Sequence, residues 1–312
     1  MRLIRTTLFI FIFNFLILQA EFISAPLINP FAANIYEARI GMVDYTTENH
    51  LRLDIGANLD LFQKKLNNNL QFGIGTEFFT YTQLRSENNF KFPVETIDYY
   101  FGANLSFIYP LKNSNIQSRL RVGHISTHLA DGYEEKSPIV LVGDPVVLVP
   151  TTYSREFIDL TFAVDSRNFR PYIGIIYNFH KIPTILNMFI PQVGFDADIK
   201  INEWLKAVSG LDFKLNGYDG KMQGMTNLLL GLEFRTSQNR GILLKCEYFN
   251  GENYYGQFYN QKLDYFGLGF QFNYYLKMEI KEINELDKPH SNCGVFGIYN
   301  HPQAALMTYY GL

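Results

Sequence analysis

The strongest constraint in this chain is a strict alternation that keeps returning. Leu51, Leu53, Ile55, Ala57, Leu59 and Leu61 share one parity, and Arg52, Asp54, Asn58 and Asp60 take the other. Ile97, Tyr99, Phe101, Ala103, Leu105, Phe107 and Tyr109 repeat the pattern opposite Asp98, Gly102, Asn104 and Ser106. Phe266, Leu268, Phe270, Phe272 and Tyr274 do so opposite Gly267, Gly269, Gln271 and Asn273. A period of two is the mark of a strand with one apolar and one polar face. Runs of this length exceed the roughly 5–6 residues of an ordinary strand. They match the roughly 9–11 residues that a tilted strand needs to cross a bilayer.

The same pattern predicts twelve strands, near residues 36–44, 51–62, 70–82, 96–110, 116–129, 153–164, 168–180, 190–201, 203–215, 225–236, 240–250 and 262–275. An even number suits a closed antiparallel barrel. Connections after even-numbered strands are short, as at 165–167 and 202, and those after odd-numbered strands are longer, notably 83–95 and 130–152. Short inner turns and long outer loops are the asymmetry of outer-membrane barrels. Closure pairs every backbone N–H and C=O, which hydrocarbon demands. The fold class is therefore an all-β, antiparallel transmembrane β-barrel. Charged residues of the later strands, Arg155, Glu156, Asp159, Lys206, Asp212, Glu233, Arg235, Lys245 and Glu247, are expected to line the lumen. A plugged interior and a narrow pore are both compatible with that lining.

Before the barrel, Arg2 and Arg5 precede the apolar run Leu8–Leu18, followed by Gln19-Ala20. A basic start, a short apolar core and a small residue predict a signal peptide over 1–20, hence export. The run is too short for a membrane-spanning helix. Among 312 residues, 27 Lys and Arg face 30 Asp and Glu, so no basic field argues for nucleic acid. Cys246 and Cys293 are too few for a disulfide framework or a thiolate metal cluster. No cofactor or metal is expected.

One stretch carries more than barrel chemistry: Arg119-Leu-Arg-Val-Gly-His124-Ile-Ser126-Thr-His128-Leu-Ala-Asp131-Gly-Tyr133-Glu134. By parity with Leu120 and Val122, the side chains of His124, Ser126 and His128 point outward, unless a bulge near Gly123 reverses them into the lumen. His124 and Ser126 are about 6.6 Å apart along a strand, close enough for a serine–histidine pair, with Asp131, Glu134 or Glu135 as orienting carboxylate. His124 and His128 are about 13 Å apart, too far to share one metal ion. The competing reading is a polar network with no reaction, to which His128, Asp131 and Tyr133 would also belong.

The His-x-Ser element resembles that of outer-membrane lipid A deacylases, whose site lies on the barrel's outer wall. More broadly, His124-Ile-Ser-Thr-His128-Leu-Ala-Asp131-Gly-Tyr133 resembles the signature of a bacterial outer-membrane β-barrel family known only as a domain of unknown function. Tyr153-Ser-Arg-Glu156, Glu247-Tyr-Phe-Asn-Gly251 and Tyr265–Phe272 resemble its later motifs in order, over roughly 36–275. That resemblance implies fold and location without a reaction.

After residue 276 the alternation stops. Met278–Asn292 is charged, and Cys293-Gly-Val-Phe-Gly-Ile-Tyr-Asn-His-Pro follows. The segment resembles the start of amidophosphoribosyltransferase, in which 278–292 would be a propeptide and Cys293 the nucleophile toward glutamine. Cys293 is internal here and the rest of that enzyme is missing, so the resemblance implies an inactive fragment, a fusion or gene-model artefact at 277–312.

The domains expected are thus a signal peptide over 1–20, a barrel over 21–276 and the extension. The leading functional expectation is an outer-membrane barrel with a structural, pore or envelope role, placed there by the barrel-assembly machinery among lipid and lipopolysaccharide. The alternative is a lipid A or phospholipid acyl hydrolase using His124 and Ser126. The third, an amidophosphoribosyltransferase fragment, is inactive as written.

Overall fold

In the computed structural model of the protein, the described residues are 25–66, 69–130, 139–141, 144–146, 152–237 and 240–274. The expected signal peptide, Asp131, Tyr133, Glu134, Glu135, Cys293 and the whole 277–312 extension lie outside them.

The chain order is β1 (Ile40–Tyr45), β2 (His50–Lys65), β3 (Gln71–Arg85), β4 (Val94–Pro110) and β5 (Ser114–Leu129). Two short strands, β6 (Ile139–Leu141) and β7 (Asp144–Val146), pair only with each other. There follow β8 (Tyr153–Ser166), β9 (Phe169–Ile182), β10 (Phe189–Lys200), β11 (Leu205–Asn216), β12 (Gln223–Ser237), β13 (Arg240–Glu252) and β14 (Lys262–Tyr274). Apart from β6 and β7, each strand pairs antiparallel with its sequence neighbours, and β1 closes on β14 from Ile40↔Phe272 to Tyr45↔Gly267. The result is the expected twelve-stranded closed barrel.

Alternation sets the faces. On β2, Arg52, Asp54, Asn58 and Asp60 are buried inside while Ile55 and Leu61 are exposed on the outer wall. Phe101, Leu105 and Phe107 on β4, and Phe266, Leu268 and Phe272 on β14, are likewise exposed outward. Such a wall is unstable in water and suited to hydrocarbon.

The first strand departs from expectation. It begins at Ile40, and residues 36–39, expected to be strand, run inside the lumen with the segment before them. From the short-turn end, the Leu27 N–H donates to Asp60 Oδ2 at 2.7 Å, and Arg170 donates to the carbonyls of Asn29 and Pro30. Deeper inside, Asn227 Nδ2 donates to the Ala33 carbonyl at 2.7 Å and Lys214 Nζ to Asn34 Oδ1 at 2.8 Å. Arg121 Nη1 donates to the Tyr36 carbonyl at 2.7 Å, and Arg119 clasps Glu37 with both terminal nitrogens. The reason is composition: Asn34, Tyr36 and Glu37 meet the lumenal cations Lys214, Arg121 and Arg119, while Arg39 ties back to the segment's own carbonyls at Asn34 and Glu37.

The opposite end is closed by the β13–β14 loop, which folds inward and carries the 3₁₀ turn Gly256–Phe258. That turn touches β5 and β8, strands on the far side of the barrel. Tyr254, Tyr255 and Phe258 are buried in an aromatic layer with Tyr45, Phe79, Tyr81, Tyr100, Phe157 and Tyr265. Tyr81 lies between the two inserts, its ring 6.3 Å from Tyr36 and 5.8 Å from each of Tyr254 and Tyr255. Among the described residues, the interior is thus entered from both ends, by residues 25–39 and by the β13–β14 loop.

Candidate functional site: a histidine–carboxylate cluster on the outer wall

On β5 the buried, lumen-facing positions are Arg119, Arg121, Gly123, Ile125 and Thr127. His124, Ser126 and His128 therefore point outward, as parity predicts. The pairing of β5 with β4 and with β8 runs through Gly123 without a register shift, so the bulge considered there is absent. Gly123 instead makes room for the aromatic layer: a Cβ there would lie 2.9 Å from the Tyr100 hydroxyl and 3.0 Å from Phe157 Cζ.

Register then brings in residues distant in sequence. His124 sits directly across from Glu156 on β8, and Ser126 across from Ser154. Glu156 was expected in the lumen with the other charged residues. It is on the outer face with Ser154, Ile158, Leu160 and Phe162, because Arg155, Phe157 and Asp159 take the inner parity. His124 Nδ1 is 2.7 Å from Glu156 Oε1, and Ser154 Oγ donates to the same oxygen at 3.4 Å. His180 Nδ1, from β9, bonds to Oε2.

A carboxylate on Nδ1 fixes the tautomer that leaves the His124 Nε2 lone pair free, the arrangement required of a general base. Ser126 lies on the same face two residues along. His124 and Ser126 are not hydrogen-bonded to each other in the structure, and such contacts commonly tighten only when substrate binds. Beyond Ser126, the His128 ring meets Tyr99 edge-on at 5.5 Å, outside the cluster. The sequence reading singled out His124 and Ser126 as candidates and did not place Glu156 or His180 beside them. The missed signal was legible: Ser154 and Glu156 are polar on a parity otherwise held by Ile158, Leu160, Phe162 and Val164.

The cluster is also supported from behind. Thr127, facing inward between Ser126 and His128, donates to Asp98 Oδ1 at 2.6 Å. The Gly256 N–H of the inward loop donates to Asp98 Oδ2 at 2.9 Å. No group of three or more His, Cys, Asp or Glu side chains suited to a metal ion occurs among the described residues.

A twelve-stranded antiparallel barrel, apolar outside and charged within, is of the kind found in bacterial outer-membrane proteins. Within that class the chain belongs to the family described as "Protein of unknown function (DUF1207)", whose profile matches residues 18–274. The match stops before the 277–312 extension. No curated protein matches the chain in sequence. Among solved structures, the outer membrane phospholipase A from Escherichia coli is similar, with a TM-score of 0.53 and 13% identity over 78% of this chain and 99% of that one. An active-site mutant of the same enzyme, with asparagine changed to alanine, gives 0.52 and 14% over 80% and 94%. The calcium-bound dimer of the Salmonella typhi outer membrane phospholipase gives 0.52 and 13% over 80% and 94%. These likenesses establish the fold.

Proposed function

We propose that the protein is an acyl-ester hydrolase of the outer membrane, acting on lipid A or phospholipid that reaches the barrel's outer wall. The observation that carries the reading is the 2.7 Å contact between His124 Nδ1 and Glu156 Oε1 on an apolar, outward face, two residues from Ser126. A buried structural role gives no reason for such a group here. Polar side chains facing lipid are costly at the bilayer midplane and tolerated near the interface, and this cluster sits toward the long-loop ends of β5, β8 and β9. That is the depth of headgroups and ester bonds if the long loops are external.

In this mechanism His124 Nε2 takes the proton of Ser126 as Oγ bonds to the ester carbonyl carbon. The protonated ring returns the proton to the departing alkoxide, leaving acyl-Ser126. Water then attacks the acyl carbon with His124 again as base, and the fatty acid leaves. Glu156 holds the ring and balances its transient charge, the role assigned from sequence to Asp131, Glu134 or Glu135. The filled lumen and the phospholipase-like fold favour this reading over a pore, the latter likeness by analogy only.

The test is covalent labelling of the folded protein with a lipophilic fluorophosphonate, together with mass spectrometry of membrane lipids from cells expressing wild type or Ser126→Ala. Labelling of Ser126 and a lipid change lost in Ser126→Ala support the reading. An unlabelled serine and identical lipid profiles overturn it.

A further inference from the structure

Glu156 accepts from two histidines on two different strands, and the hydrolytic reading uses only one of them. The second, His180, reaches the cluster through a local irregularity. Along β9 the residues Ile173, Ile175, Tyr177 and Phe179 are outward by alternation, so His180 would turn into the lumen. The ladder with β8 skips at this point: Phe157 pairs with Asn178, and Glu156 pairs with His180. Phe179 is the extra residue of a bulge, and both it and His180 are exposed on the outer wall. Bulges of this kind re-aim a side chain and concentrate beside active sites.

We infer that His180 is a positioning residue that holds the Glu156 carboxylate for His124; this rests on the hydrolase reading above. With His124 and Ser154 alone, Oε2 of Glu156 would lack a protein donor, and the carboxylate could rotate about its last bond. The His180 N–H occupies Oε2 while His124 and Ser154 occupy Oε1, so the carboxylate plane is fixed from both neighbouring strands. A fixed carboxylate fixes the imidazole plane, and with it the direction of the Nε2 lone pair toward Ser126. Orientation of this kind acts on the chemical step and leaves ground-state lipid binding alone.

The experiment uses full-length protein folded in detergent micelles, with dioctanoyl phosphatidylcholine and a p-nitrophenyl acyl ester as probes. Heat-modifiable migration on gels reports the folded barrel. His180→Ala is expected to lower kcat about tenfold or more with KM unchanged. His180→Asn, whose amide N–H takes the place of Nδ1–H, is expected to recover most of the loss. His180→Leu replaces the alanine variant if the latter does not fold. Wild-type kcat in His180→Ala overturns the inference, and so does an asparagine variant as slow as the alanine one. Ser126→Ala separates the two levels: if it hydrolyses as wild type does, the hydrolase reading fails. The His180 contact is then judged by the ¹⁵N shifts of the His124 ring, which must move in His180→Ala if His180 positions Glu156; unmoved shifts overturn it.

Discussion

Arg119 on β5 grips Glu37 of the lumenal N-terminal segment end-on, with Nη1 donating to Oε2 at 3.1 Å and Nη2 to Oε1. Neither side chain reaches solvent, at 2% and 0% exposure. The pair ties the inserted segment to the middle of the wall, one turn of alternation below the Arg121–Asp159 pair.

Glu37→Ala leaves Arg119 buried without its carboxylate, and Arg121 keeps Asp159 and Glu77 but loses a third carboxylate at 3.9 Å. Removing one partner of a buried ion pair costs on the order of 3–5 kcal/mol. The expected outcome is a clearly lower urea midpoint for the barrel in lipid vesicles, with Glu37→Gln intermediate because its amide oxygen still accepts from Arg119. Equal midpoints for all three would show that the segment contributes nothing to barrel stability.

The segment's second consequence is electrical. With residues 25–39 entering from one end and the 253–261 loop from the other, wild-type protein in a planar bilayer is expected to pass no steady current. Deleting 25–39 takes Glu37 away from Arg119 and removes Arg39 with it, so the segment's net charge lost is zero, while Arg121 keeps Asp159 and Lys214 keeps Asp212. Conduction is expected when the 253–261 loop is shortened as well, because that loop still closes the other end. Steady wild-type conductance would contradict the filled lumen.

The cluster on the outer wall makes a graded kinetic prediction. Ser126→Ala is expected to abolish hydrolysis of the acyl-ester probes, because the acyl acceptor is gone. Glu156→Gln keeps the size but loses the charge that stabilises protonated His124, and a loss on the order of 10²-fold in kcat is expected for a disabled general base. His128→Ala, whose ring packs on Tyr99 away from Glu156, is expected to stay near wild type. An equal loss in all three would mean a damaged strand.

The barrel was legible because hydrocarbon and lumen impose opposite demands on alternate residues, and period two records that directly. The barrel strands from β2 onward begin and end within three residues of the positions read from alternation, while the short pair β6 and β7 lies in a stretch read as loop. What alternation could not reveal is anything decided by which strands lie side by side. Glu156 meets His124 only through the β5–β8 register, across a long intervening loop, so sequence reasoning turned to the nearer Asp131 and Glu134. His180 was further hidden by the bulge at Phe179, which breaks the parity rule where the rule would be applied. The inward course of 25–39 was missed for a different reason. Tyr36 and Ala38 mimic a strand's alternation, yet their partners are lumenal arginines and rings, not a neighbouring ladder; Arg155, for example, stacks 4.8 Å from the Tyr36 ring.

The 3₁₀ turn of the inward loop supplies a way to disturb the cluster from behind without touching it. Gly256 is pressed against the Tyr153 ring, where a Cβ would lie 2.6 Å from Cγ and 2.8 Å from Cε1. Backbone and ring cannot both stay if a side chain is added, so Gly256→Val is expected to push the turn out of the lumen. That breaks the Gly256 N–H bond to Asp98, and Asp98 is the acceptor of Thr127, the residue between Ser126 and His128. Two readouts follow. Proteinase K should cut within 253–261 in Gly256→Val and spare wild type, since Tyr254, Tyr255 and Phe258 are buried only while the turn stays in. Acyl-ester hydrolysis should fall while Ser126 remains in place, because β5 loses its inner anchor. A protease-sensitive variant with full activity would show that the loop seals the lumen and plays no part in holding the cluster.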